Sequence, residues 1–236
     1  MHSSAYEFGK RFFQTYTQDL NNFSVVEIGS QNVNGALRDH KPQNCQDYIG
    51  LDFVNGNGVD VVLQDAYKFP FPANTFDVLV TSSCFEHSEM FWLSFLEGMR
   101  VLKPHGIMYC NAPSSWMMYH RYPVDCWRFY PDAAKGLQSW GKYNGMNVAV
   151  LESFIVKPWE DLDNCDWAAV FIKDEAYMEN YKSRMIDSLV DYEDYFNGFR
   201  FPANDRFPDG WSKPKAEYHQ ATKKNLVFSY AQGIVY

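Results

Sequence analysis

The chain has 236 residues, enough to bury one sizeable core with an elaboration, and its 46% hydrophobic and 21% charged residues describe a globular protein, not a disordered or fibrous one. A formal net charge of -8 argues against a phosphate backbone as the main partner, and no stretch reaches the apolar length of a membrane span. Five widely spaced cysteines (Cys45, Cys84, Cys110, Cys126, Cys165), odd in number and without a CxxC pair, fit reduced cytoplasmic thiols and argue against a disulfide framework or a structural zinc site.

The N-terminus, MHSSAYEFGK, lacks the apolar core of a signal peptide, which adds to the expectation of a cytoplasmic location. Phe8, Phe12, Phe13, Tyr16 and Leu20 recur at helical spacing, so Ala5 to Leu20 reads as a helix packed on a sheet, in preference to a substrate lid. Ser24 to Ile28 is a short apolar run broken by Glu27, a buried strand that stops at Gly29, where the chain must bend and a ligand can approach the main chain. Asn34 and Gly35 give a second turn signal, after which Ala36, Leu37 and Arg38 read as the start of a helix.

Further strands are expected at 47–52, 59–63, 76–82 and 106–111. A helix over 89–102 carries Trp92, Phe95, Leu96, Met99 and Leu102, with Pro104 as its stop. Residues 113–130 are irregular and rich in Trp, Tyr, His and Pro; 131–138 reads as a helix with Pro131 in its first turn, and 148–156 and 168–172 as closing strands. Tyr177, Tyr181, Met185, Leu189, Tyr192 and Phe196 suggest a last amphipathic helix. Aromatics crowd the final quarter (Phe196, Phe199, Phe201, Phe207, Trp211), which is expected to pack on the core, while Lys213, Lys215, Lys223 and Lys224 make a modest basic patch best read as a solvated face. Alternating strand and helix predict an α/β protein with a Rossmann-like, doubly wound, mostly parallel sheet of about seven strands, the last antiparallel, over residues 1–173, with an aromatic-rich helical and irregular C-terminal extension over 174–236.

Acids mark three strand ends: Glu27, Asp52 and Asp65. Neighbouring parallel strand ends lie side by side, so these carboxylates are expected around one crevice. Asp52 is placed to accept both hydroxyls of a ribose, and the Asp65–Ala66 step to meet an adenine edge. A dinucleotide is the first ligand to consider, yet Gln31 and Asn34 occupy the places where G-x-G-x-x-G needs glycine beside a pyrophosphate. A nucleoside cofactor without phosphate needs no such glycines.

With these motifs in order, the chain resembles the class I S-adenosylmethionine-dependent methyltransferases, in the type 11 small-molecule group, over roughly Phe23 to Val156. VVEIGSQNVNG resembles the family's first motif, GLDF at Gly50 to Phe53 the second, Gln64 to His87 the run joining the third and fourth, and Arg100 to Ser114 the helix-turn-strand that follows. Ser30, Gln31 and Val33 depart from the glycine-rich form of the first motif, and His105 replaces a common glycine. The resemblance implies S-adenosylmethionine as cofactor, held by Glu27, Gly29, Ser30, Asn34, Asp52, Phe53, Asp65, Ala66 and Ser82, with no metal required. It implies methyl transfer to oxygen or nitrogen of a small-molecule acceptor. HRYPVDCWRFY, from His120 to Tyr130, is similar to a substrate-side loop of related enzymes acting on sugars or small metabolites.

The catalytic candidates are His87, a base titrating near neutral pH, and His120 with Asp125. Each has a structural alternative: His87 as a residue ordering its loop, and His120, Asp125 and Arg128 as a salt-bridged wall. Trp116, Trp127 and Trp140 read as packing before pocket lining. Two other classes stay open, a nicotinamide-dependent oxidoreductase and a non-catalytic S-adenosylmethionine-binding subunit.

Overall fold

The computed structural model describes residues 3–114, 118–156, 165–188 and 197–200, all within one compact unit, residues 1–204. Eight strands form one sheet in the order β3-β2-β1-β4-β5-β7-β6-β8: β1 (Phe23–Ile28), β2 (Cys45–Asp52), β3 (Val61–Val62), β4 (Phe76–Ser82), β5 (Leu102–Pro113), β6 (Ala149–Val156), β7 (Asp166–Ile172) and β8 (Asn197–Arg200). β3, β2, β1, β4 and β5 run parallel; β7 is antiparallel to both of its neighbours, and β8 is antiparallel to β6. The seven expected strands are therefore present with the seventh reversed, and the extension adds an edge strand that the sequence did not announce.

Both faces of the sheet are covered, because successive residues of each buried strand alternate sides. Val25, Val78, Val80 and Tyr109 join the apolar stripe of α1 (Ser3–Tyr16) on one face, where the Phe12 and Tyr109 rings stack 4.7 Å apart. Val26, Leu79, Met108 and Phe171 face the other way, toward α2 (Phe91–Val101) and α3 (Asp132–Tyr143). The aromatic stripe of α1 is thus core, as its spacing indicated.

Two predicted helices are corrected. After Gly35 only a single 3-10 turn forms, Leu37–His40. The Asn32 side chain accepts from the Gly35 amide at 3.0 Å, Asp39 accepts from the Ala36 amide at 3.2 Å, and Pro42 follows, so side chains and a proline consume the segment before a helix can propagate. Over 177–188 the chain makes two 3-10 turns, Glu175–Asn180 and Met185–Ser188. Here the buried Glu152 carboxylate accepts from the Met185 and Ile186 amides (2.8 and 3.0 Å) and from the Tyr16 hydroxyl (2.6 Å), while Arg184 donates to the Leu151 carbonyl at 3.0 Å. Amides given to a neighbouring strand cannot close a helix. The rest of that expected helix, Trp116, and the aromatic and basic tail beyond residue 200 lie outside the described residues. Among the described residues no helix is long and apolar enough to cross a membrane.

Candidate active site

The chain leaves β1 for β2 and β3 on one side, then returns for β4 on the other, so the strand order switches direction between β1 and β4. Open α/β sheets bind ligands just beyond such a point. Here the two crest turns touch. Gly29 has φ +75°, and a Cβ on it would lie 2.7 Å from the Cys84 side chain, so glycine is required by both backbone and neighbour. Beyond these turns opens a cavity of about 600 Å³, within the size range of small-ligand sites.

One end of the cavity is built on β1, β2 and the turn after β3. Asp52, 6% exposed, ends β2; its Oδ1 accepts from the Phe53 and Val54 amides (2.7 and 3.3 Å) and its Oδ2 from the Gln31 amide at 3.1 Å. Those bonds lock the carboxylate to the turn after β1 and leave acceptor capacity toward the cavity. Beside it Phe53 stands 53% exposed, an aromatic surface on the cavity wall. Glu27 lies beneath. Burial pushes its carboxyl up to about 7, against the opposing pull of the Tyr48 hydroxyl, which donates to it at 2.7 Å, and of Arg38. Arg38 in turn lies over the Tyr48 ring and pairs with Asp60.

The other end is built on two loops. Phe85–His87 form a 3-10 turn after β4, and residues 118–130 follow β5. The loops are tied by main-chain contacts: the Cys126 amide donates to the Glu86 carbonyl at 2.7 Å, and the Trp127 indole to the Ser88 carbonyl at 2.9 Å. His87 Nδ1 contacts the Val124 carbonyl and His120 Nδ1 the Met118 carbonyl (3.0 Å); the two imidazole rings stand perpendicular with centroids 5.1 Å apart. Burial lowers the His87 pKa, so the ring is neutral at pH 7.

Of the expected site residues, Glu27, Gly29, Ser30, Asn34, Asp52, Phe53, Ala66, Ser82, His87 and His120 all line the cavity. Two do not. Asp65 is exposed and caps its own turn, its Oδ1 accepting from the Tyr67 amide at 2.9 Å. Asp125 receives two bonds from Arg128 (2.5 and 2.8 Å) and the His120 amide at 2.8 Å; the guanidinium holds its carboxyl well below the usual range. An anion so engaged takes no proton near neutrality; Asp125 positions the loop. Sequence reasoning passed over Tyr48, and named Glu86 only within the run 82–87 after β4, with His87 singled out as the base. Glu86 is fully buried behind the two histidines, with burial pushing its pKa up to about 8. Polar residues in a turn ordinarily read as solvated, and only the fold buries this one.

Comparison with known proteins agrees with this architecture. The profile of a family described as a methyltransferase domain matches residues 15–110. The fold is similar to that of 1,6-didemethyltoxoflavin-N1-methyltransferase from Burkholderia thailandensis, solved with 1,6-didemethyltoxoflavin and S-adenosylhomocysteine bound (11% identity, 73% of this chain and 79% of that one, TM-score 0.53). It is similar also to the PH0226 protein of Pyrococcus horikoshii OT3 (16% identity, 72% and 90%, TM-score 0.51) and to the [4+2]-cyclase SpnF (14% identity, 71% and 80%, TM-score 0.50). No curated protein sequence matches the chain.

Proposed function

We propose that the chain, whose residues 15–110 match the methyltransferase-domain family, is a class I methyltransferase that binds S-adenosylmethionine in the crest cavity and methylates an oxygen or nitrogen of a small acceptor, a sugar being the class suggested by the His120–Tyr130 loop. The observation that carries this reading is the charge of the wall: Asp52 and Glu89 line the cavity with Glu27, which is partly ionised near neutrality, and among its described lining residues there is no Lys or Arg. Such a wall attracts a cation and repels a pyrophosphate, which separates this reading from a nicotinamide dinucleotide. The buried Ser30 hydroxyl, without a hydrogen-bond partner among the described residues, and the half-exposed Phe53 ring fit an adenosine in the same place.

S-adenosylmethionine, when bound, supplies a methyl group activated on a positively charged sulfonium. The chain's own contribution is placement. The Gly29–Gln31 turn and the Asp52 carboxylate fix one reactant, and the two-loop end fixes the other, so that reacting atoms meet in line at little further entropic cost. His87 and His120 line the same cavity, and on this reading one of them takes the proton of an O–H or N–H acceptor. Titration calorimetry tests the reading: S-adenosylmethionine and S-adenosylhomocysteine bind, and NAD does not. Tight NAD binding without S-adenosylmethionine binding overturns it. Methyl release from labelled cofactor across a panel of acceptors then identifies the acceptor.

A further inference from the structure

Glu86 is the least explained side chain of the acceptor end. It is 0% exposed, and neither carboxylate oxygen has a hydrogen-bond partner among the described residues. A carboxyl group taken out of water without a partner is costly, and a leucine of similar size removes the cost, so its presence calls for a ligand. What it faces is two imidazoles. His87 Nε2 lies 3.7 Å from Glu86 Oε1, and one ligating atom from each of Glu86, His87 and His120 falls within 4.8 Å of the other two.

The ring tautomers sharpen this. A backbone carbonyl only accepts, so the Nδ1 atoms facing Val124 and Met118 carry the hydrogens. In their neutral forms both rings therefore keep a lone pair on Nε2. Donating Nδ1–H to a backbone carbonyl or carboxylate is how metal-binding histidines are oriented, and Asp125 Oδ2 lies 3.7 Å behind His120 Nδ1, itself fixed by Arg128. These supports come from the main chain and from an ion pair, so they hold whether or not a ligand is present.

We propose that Glu86, His87 and His120 bind a divalent first-row transition cation of the zinc type, with its open coordination position facing the cavity. Two imidazole nitrogens and one carboxylate oxygen are a donor set suited to such an ion, and three protein ligands leave a position for water or a substrate oxygen. Tetrahedral ligands on bonds of about 2.0 Å stand about 3.3 Å apart, so modest side-chain shifts close the present spacing. With the ion bound, the Nε2 lone pairs of His87 and His120 are taken, so the ion replaces the two histidines as bases: an acceptor hydroxyl at the open position, which faces the cavity they line, gives its proton to water and presents its oxygen for reaction. That use rests on the methyl-transfer reading; the cation site does not.

The test uses the untagged full chain, Zn²⁺ by titration calorimetry and Co²⁺ by visible absorption, with no cofactor present. The expected result is one ion per chain, a cobalt band in the visible, and a loss of affinity of about a hundredfold or more in Glu86→Gln and in His120→Ala. Metal-free Glu86→Leu is expected to melt at or above the wild-type temperature, since it removes an unpartnered buried polar group. Ion binding that is absent, or equal in wild type and both variants, overturns the proposal and leaves Glu86 as a neutral buried acid. S-adenosylmethionine affinity, measured in parallel, reports on the methyl-transfer reading separately: its loss sinks that reading and leaves the cation result standing.

Discussion

The two ends of the parallel strands treat carboxylates in opposite ways. At the amino end Asp77 opens β4 and is saturated: it accepts from the Ser24 amide and hydroxyl (2.9 Å each), from Lys103 at 2.8 Å and from His105 at 3.2 Å. Burial pushes its pKa up, but these donors outweigh burial and the net direction is down. At the carboxyl end Glu27 and Glu86 are pushed up to about 7 and about 8, burial being the leading cause in each. The same residue class is a structural clamp where several protein donors converge on it, as on Asp77, and a poised group where burial outweighs a single donor, as at Glu27, or meets none, as at Glu86.

Three variants break or sharpen this contrast. The largest effect is expected from Asp52→Ala at the carboxyl end, which removes the carboxylate that orients the turn after β1: S-adenosylmethionine affinity falls about a hundredfold by calorimetry, the size expected when a charged hydrogen-bond partner is lost. At the amino end Asp77→Asn lowers stability by about 2 kcal/mol in urea unfolding and leaves cofactor affinity within about twofold. Its pH dependence follows from a depressed acid. The stabilisation is present above the ordinary value of 3.8 and is lost as pH falls below it, so the wild-type advantage over the variant disappears in strong acid. The smallest effect is expected from Glu27→Gln, with cofactor affinity down about tenfold. An acid with a raised folded pKa binds more protons folded than unfolded, so wild-type stability declines as pH rises from 4.5 to about 7, and thermal melts of the glutamine variant lack that decline. Should Asp77→Asn abolish binding while Asp52→Ala only destabilises, the contrast between the two ends is wrong.

What was legible in the sequence follows the same division. The crest turns were readable because strand ends announce themselves: an apolar run, an acid, then Gly29 or Phe53. The acceptor end was not, because its geometry comes from two loops that meet only in the fold, through Cys126 with Glu86 and Trp127 with Ser88. His87 and His120 could be named from residue type, but Asp125 looked identical whether it served chemistry or gripped Arg128. The helix expected over 177–196 fails within its described part for a related reason. Its period was real, yet Glu152, far away in sequence, takes the amides that a helix would need.

The edges of the sheet carry a consequence of their own. β3 has only two residues, and β6 is covered by the four residues of β8, paired from Glu152↔Arg200 to Ile155↔Asn197. A long bare strand invites another copy to add itself, so a stub on one flank and a cover on the other guard against runaway stacking of molecules. Shortening the polypeptide ahead of Asn197 would uncover β6 and offer its backbone to a second copy, with the cavity left as it was.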